Sequence, residues 1–126
     1  AMEATSEQLT AVLDQAEAGN LDSASNAAAK LAAGSEGGAK AAALLTQAGI
    51  AMDRGRTADA VKIYAQVAAD SATPPALRDL ASIREMAASF DTRSPADVIA
   101  RLEPLAVPTN PWFGSAGELV AMAYLE

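Results

Sequence analysis

Gly55-Arg56-Thr57-Ala58-Asp59-Ala60-Val61-Lys62-Ile63-Tyr64 is the stretch from which the architecture of this chain is read. A glycine is followed five residues on by an alanine, and four further on by an aromatic. Glycine admits the left-handed backbone that a tight turn needs. Alanine, in a helix opened by Thr57 as cap, lets that helix approach a neighbour closely, and Tyr64 fills the gap between units. Before the turn, Ala41, Leu44, Leu45, Ala48 and Met52 recur at spacings of three and four and mark a helix ending at Arg54-Gly55. After it, Ala60, Ile63, Tyr64, Val67 and Ala68 mark its partner. Two helices joined by a short turn is the local reading.

The arrangement recurs along the chain. Gly19-Asn20 and Ala24 stand 36 residues before Gly55-Arg56 and Ala60. Adding 36 to the second set reaches Asp91 and Ala96, so a third unit is expected there. Leu9, Val12, Leu13 and Ala16 mark the first helix, with Thr5 and Gln8 placed as a capping box. Leu21, Ala24, Ala28 and Leu31 mark the second, stopped at Gly34-Ser35-Glu36-Gly37-Gly38. Thr73-Pro74-Pro75 and Ser94-Pro95-Ala96-Asp97 each place a cap and then proline in a first helical turn. Asn110-Pro111 opens a last helix through Phe113, Ala116, Leu119, Val120 and Ala123. About seven helices are predicted in one domain, 1–126, as hairpins over about 5–33, 39–70 and 74–106 and a final helix over 111–124.

Composition agrees with an all-α protein. Of 126 residues 33 are alanine, the strongest helix former, and only 4% are aromatic. There is no histidine and no cysteine, which excludes His-containing triads, thiol chemistry and zinc fingers. A net charge of −7 repels nucleic acid and anionic lipid headgroups. No stretch approaches the ~20 apolar residues of a membrane-spanning helix. Ala1-Met2 and Leu125-Glu126 read as cut ends, so a longer parent is expected.

A helix–turn–helix unit repeating every 34 or so residues resembles the tetratricopeptide pattern, with Gly19, Ala24, Gly55, Ala60 and Tyr64 as its structural residues. The resemblance implies a right-handed solenoid of antiparallel helical hairpins. Ala28 stands where the pattern has Tyr64, and Asp91 where it has glycine, so the repeats are degenerate. The segments Gly55–Val61, Pro75–Ala81, Arg101–Leu105 and Asn110-Pro111-Trp112 resemble the YfgM-type ancillary subunits of the SecYEG translocon. That resemblance implies an N-terminal membrane anchor and a bacterial inner-membrane location with this domain on the periplasmic side. Its implied partners are the translocon or periplasmic chaperones and folding factors.

Other constellations read as structural. Gly34–Ala41 is glycine-rich and carries Lys40, but a phosphate-binding loop needs glycine before that lysine and Ser or Thr after it. Alanines flank it, so a loop between hairpins is expected and no cofactor. Asp14, Glu17 and Asp22 cluster near one turn without a calcium-loop spacing and are taken as a solvated acidic face. Asp59, Asp97 and Glu118 are expected in first turns, where a carboxylate complements the helix dipole. Trp112-Phe113 is the densest aromatic pair, with Trp112 expected to plug the last hairpin.

The surface expected to carry function is the inner face of the first helix of each hairpin. At the 36-residue offset its candidates are Leu45, Met52 and Asp53, then Arg78, Ala81 and Glu85. Small side chains imply a shallow groove, and no cluster of lysines and arginines is placed to clamp a peptide's carboxylate. The expectation is a non-catalytic protein–protein interaction scaffold with no catalytic residue, no metal and no nucleic-acid partner. The alternatives are a helical accessory domain of a larger enzyme and a self-association module, which makes a homo-oligomer possible.

Overall fold

A computed structural model describes residues 2–126, with side chains from Ser6 onward. Among the described residues there are seven α-helices and no strand: α1 (Met2–Glu17), α2 (Leu21–Ala33), α3 (Gly37–Asp53), α4 (Thr57–Ala69), α5 (Pro75–Ala88), α6 (Pro95–Leu102) and α7 (Phe113–Leu125). Short 3₁₀ turns follow α5 at Phe90–Thr92 and α6 at Glu103–Leu105. Each helix packs against the next, and α1 against α3, α3 against α5 and α5 against α7. No helix is long and apolar enough to cross a membrane among the described residues.

Two turns are built alike, atom for atom. At Gly19 the backbone has φ +88°, and at Gly55 φ +74°, the left-handed region that costs glycine least. Asn20 N–H reaches back to the Gln15 carbonyl at 2.9 Å, and Arg56 N–H to the Ala51 carbonyl at 2.8 Å. Gly19 and Gly55 donate to Ala16 and Met52 respectively, each at 3.0 Å, which satisfies carbonyls the helix ends would otherwise leave open. The helices that follow start two residues after each glycine, and their fourth residues, Ala24 and Ala60, are both fully buried.

The third turn departs from that pattern. Arg93 and Ser94 stand there, and Arg93 is extended at φ −107°. Without a glycine the chain leaves α5 through the 3₁₀ turn and needs residues 89–94 to reach α6, where residues 54–56 suffice between α3 and α4. The expected equivalents Asp91 and Ala96 are both exposed; the buried fourth and eighth residues of α6 are Val98 and Leu102. These stand 38 residues after Ala60 and Tyr64, so the spacing here is two longer than predicted. The same 38 relates Ala43, Leu45 and Ala48 of α3 to the buried Ala81, Ile83 and Met86 of α5. Its source is the connection between α4 and α5, residues 70–74, against residues 34–36 between α2 and α3.

Several caps also differ from expectation. Helix α1 starts at Met2 and runs through Thr5, and the expected capping box rests on the Thr5 side chain, which lies outside the described residues. Thr57 is the first residue of α4, after Arg56, and Pro74 precedes α5 in place of Thr73, which is buried. Ser94 caps as predicted, its Oγ accepting from Asp97 N–H at 3.2 Å. Asp59 and Asp97 lie in first turns, whereas Glu118 falls outside the first turn of α7, which starts at Phe113.

The apolar core runs along the chain in three clusters. Val12, Ala24, Ala28 and Ile50 join α1, α2 and α3. Ala41, Leu44, Ala48, Ala60, Tyr64, Val67 and Ala81 join α3, α4 and α5. Ile83, Met86, Val98, Leu102, Ala116, Val120 and Ala123 join α5, α6 and α7. Tyr64 is the one buried aromatic among the described residues, at 4% exposure. Alanines on the facing helices explain why it fits: methyl-sized side chains let backbones approach, and one large ring occupies the space left over.

Candidate functional site

The last turns of α1 and α3 lie side by side and bound a depression of about 460 Å³. Leu13, Ala16, Leu45, Gly49 and Ile50 give it an apolar floor, Thr46 adds a hydroxyl, and Arg84 of α5 closes one side. Glu17 and Asp53, the final residues of α1 and α3, complete the lining. Both carboxylates are exposed, and neither makes an ion pair among the described residues. Leu13 is 47% exposed although its neighbour Val12 is in the core. The Thr46 hydroxyl donates to the Ala42 carbonyl at 2.8 Å, so it faces the depression as an acceptor.

Of the six residues expected on this face, the structure brings together Leu45 and Asp53. Met52 is exposed beside them without lining the depression. Arg78 is half-buried, with its Nε buried and unpartnered. Ala81 is fully buried in the core. Glu85 is buried and turned toward α6, with Oε2 accepting from Arg93 at 2.7 Å and Oε1 from Arg101 at 3.0 Å. Arg93 also donates to Asp97 at 2.8 Å and to the Ser89 hydroxyl at 2.7 Å, and this network fastens the glycine-free turn.

The misplacement has a geometric cause. Successive helical residues are about 100° apart, so a two-residue error in offset turns a residue by about 200°, to the opposite face. Corrected to 38, Thr46 corresponds to Arg84, which does line the depression. Glu17 and Leu13 were within reach of the sequence: they stand 36 residues before Asp53 and Gly49. Glu17 is exposed, as expected of a solvated acidic face, and it also lines the depression. Asp22 of that trio pairs with Arg54, and Asp14 is exposed.

Two other surfaces stand out. Arg54, Arg56, Lys62 and Asp59 surround a polar hollow of about 360 Å³ between α2, α3 and α4. Phe113, Met122, Tyr124 and Leu125 leave an apolar surface on α7. Trp112 packs against the core of α5, α6 and α7 and donates from Nε1 to the Ala76 carbonyl at 2.7 Å. No group of three or more carboxylates comes together to hold a metal ion among the described residues. Comparison of the chain with protein-family models, with curated proteins and with solved structures returns no match.

Proposed function

We propose that this chain is a non-catalytic protein–protein interaction scaffold whose helix pairs stack as a tetratricopeptide-like solenoid. The observation that carries the reading is the depression between α1 and α3, where the exposed Leu13 and the partly exposed Ala16 and Gly49 lie over the buried Leu45 and Ile50, rimmed by two carboxylates without an ion pair among the described residues. Leu13, 47% exposed beside the buried Val12, gives this depression an apolar edge that a docked partner would bury. The identical turns at Gly19 and Gly55 and the core strung from helix to helix support stacking of repeated units. Resemblance to the YfgM-type family supports a membrane-anchored bacterial parent. The same resemblance supports a periplasmic position for this domain, serving the secretion translocon or periplasmic folding factors.

A photo-crosslinking amino acid at Asp53 of the full-length protein, with another at Lys62 as control, tests this in cells. Translocon components or periplasmic folding factors are expected to be labelled from Asp53 and not from Lys62. Equal labelling from both positions, hydrolase activity of the purified domain, or purely cytosolic fractionation of the parent would overturn it.

A further inference from the structure

We infer that the depression between α1 and α3 receives a cationic amphipathic helix of a partner protein, its basic side chains set against Glu17 and Asp53 and its apolar stripe over Leu13, Ala16 and Gly49. The inference rests on the reading of this surface as a docking site and adds the chemistry of its occupant.

The sign of the partner's charge follows from where the two carboxylates stand. Each is the last residue of its helix. There the helix dipole already presents partial negative charge, and an acidic side chain is unfavourable for the helix itself. Two such residues line one depression with no ion pair to offset them among the described residues. Dipole ends and side chains thus add to one negative rim beside an apolar floor. A Lys or Arg laid there relieves both the repulsion between the carboxylates and their conflict with the dipoles. Arg84 on the α5 side sets a direction: the partner's cations lie toward the ends of α1 and α3, and its neutral or acidic residues toward α5. A second copy of this chain, at net charge −7, meets repulsion there, as does a polyanion.

A helical occupant follows from the walls. They are helices whose backbone groups are bonded internally, and the Thr46 hydroxyl proton is already given to the Ala42 carbonyl. An extended segment would find no strand edge to pair with and would leave its backbone polar groups unsatisfied against the apolar floor. A helix satisfies its own backbone and needs only an apolar stripe at i, i+3, i+4 and i+7.

The test uses synthetic amphipathic helical peptides with that leucine stripe, flanked by lysine, glutamine or glutamate, titrated into the purified domain by fluorescence anisotropy. The lysine peptide is expected to bind best and to weaken as salt rises. The double reversal Glu17→Lys with Asp53→Lys should weaken it by about tenfold, the scale reached by two surface ion pairs, and should bring on binding of the glutamate peptide. Gly49→Leu separates the two levels. A Cβ at Gly49 meets nothing within 4 Å, so the leucine is expected to project into the depression with the fold intact, and an unchanged circular dichroism spectrum is the check. Binding lost in Gly49→Leu but indifferent to charge reversal leaves the docking site standing and overturns the cationic assignment. Binding indifferent to Gly49→Leu overturns both, as does no binding by any peptide. A concentration-dependent dimer abolished by Gly49→Leu would assign the surface to a second copy and overturn the inference.

Discussion

Gly49 and Gly55 lie six residues apart and do opposite things to stability. Gly55 holds φ +74° at the turn after α3, where an L side chain is strained. Gly49 sits inside α3 in ordinary helical conformation, with open space where a Cβ would go. Gly55→Ala is expected to destabilise by roughly 1–2 kcal/mol, and Gly49→Ala to stabilise by about 0.4–1 kcal/mol through the unfolded chain. Urea denaturation of the two variants beside wild type reads both signs. Tyr124 provides a pH handle at the same scale. Its hydroxyl donates to Glu103 Oε2 at 2.7 Å, and this bond, followed by the carboxylate's charge, raises its pKa above the ordinary 10.0. The bond's contribution is complete while both the folded and unfolded tyrosine are protonated, below pH 10.0, and is lost as pH rises through the raised folded value. In an ultraviolet difference titration Glu103→Gln should move the Tyr124 transition to lower pH.

At the scale of elements, α4 depends on one small and one large residue. Ala60 is fully buried and Tyr64 nearly so, one helical turn apart, in the cluster shared by α3, α4 and α5. Ala60→Leu is expected to overpack that contact by roughly 1–3 kcal/mol. Tyr64→Ala should cost about 3–5 kcal/mol, since surrounding alanines have little side chain with which to collapse into the cavity. Chemical denaturation placing both variants within about half a kcal/mol of wild type, the range of ordinary surface substitutions, would contradict this packing. These two residues were legible in the sequence because glycine, alanine and aromatic fall at spacings that only a turn and one helical face explain. Val98 and Leu102 take the same positions in α6; they read as the apolar stripe of a helix but not as the equivalents of Ala60 and Tyr64. Nothing local marks residues 70–74 as two longer than residues 34–36, and β-branched Val98 does not announce a close-approach site.

For the whole molecule, a core divided into three clusters predicts that damage stays where it is made. Met86 is fully buried among α5, α6 and α7. Met86→Ala should cost about 2–5 kcal/mol at that site. Native-state hydrogen exchange should then show the protection of α6 and α7 amides falling more than that of α2 amides, whose cluster it does not touch. Equal loss along the chain would mean that the clusters unfold as one cooperative unit.

The sequence by itself determined what local chemistry controls. Alanine content and three-and-four periodicity specify helices, and glycines at 19 and 55 specify two tight turns. Ser94-Pro95 specifies the start of α6, and the absence of histidine and cysteine removes whole classes of catalysis. Tertiary structure decided which face of each helix is spent on the core. That choice depends on connection length, and because each residue turns a helix by about 100°, two extra residues sent Glu85 into a buried ion network and brought Arg84 to the open surface. It also decided that Glu17 and Asp53 share one depression, since residues 36 apart in the chain become neighbours only when the last turns of α1 and α3 lie together.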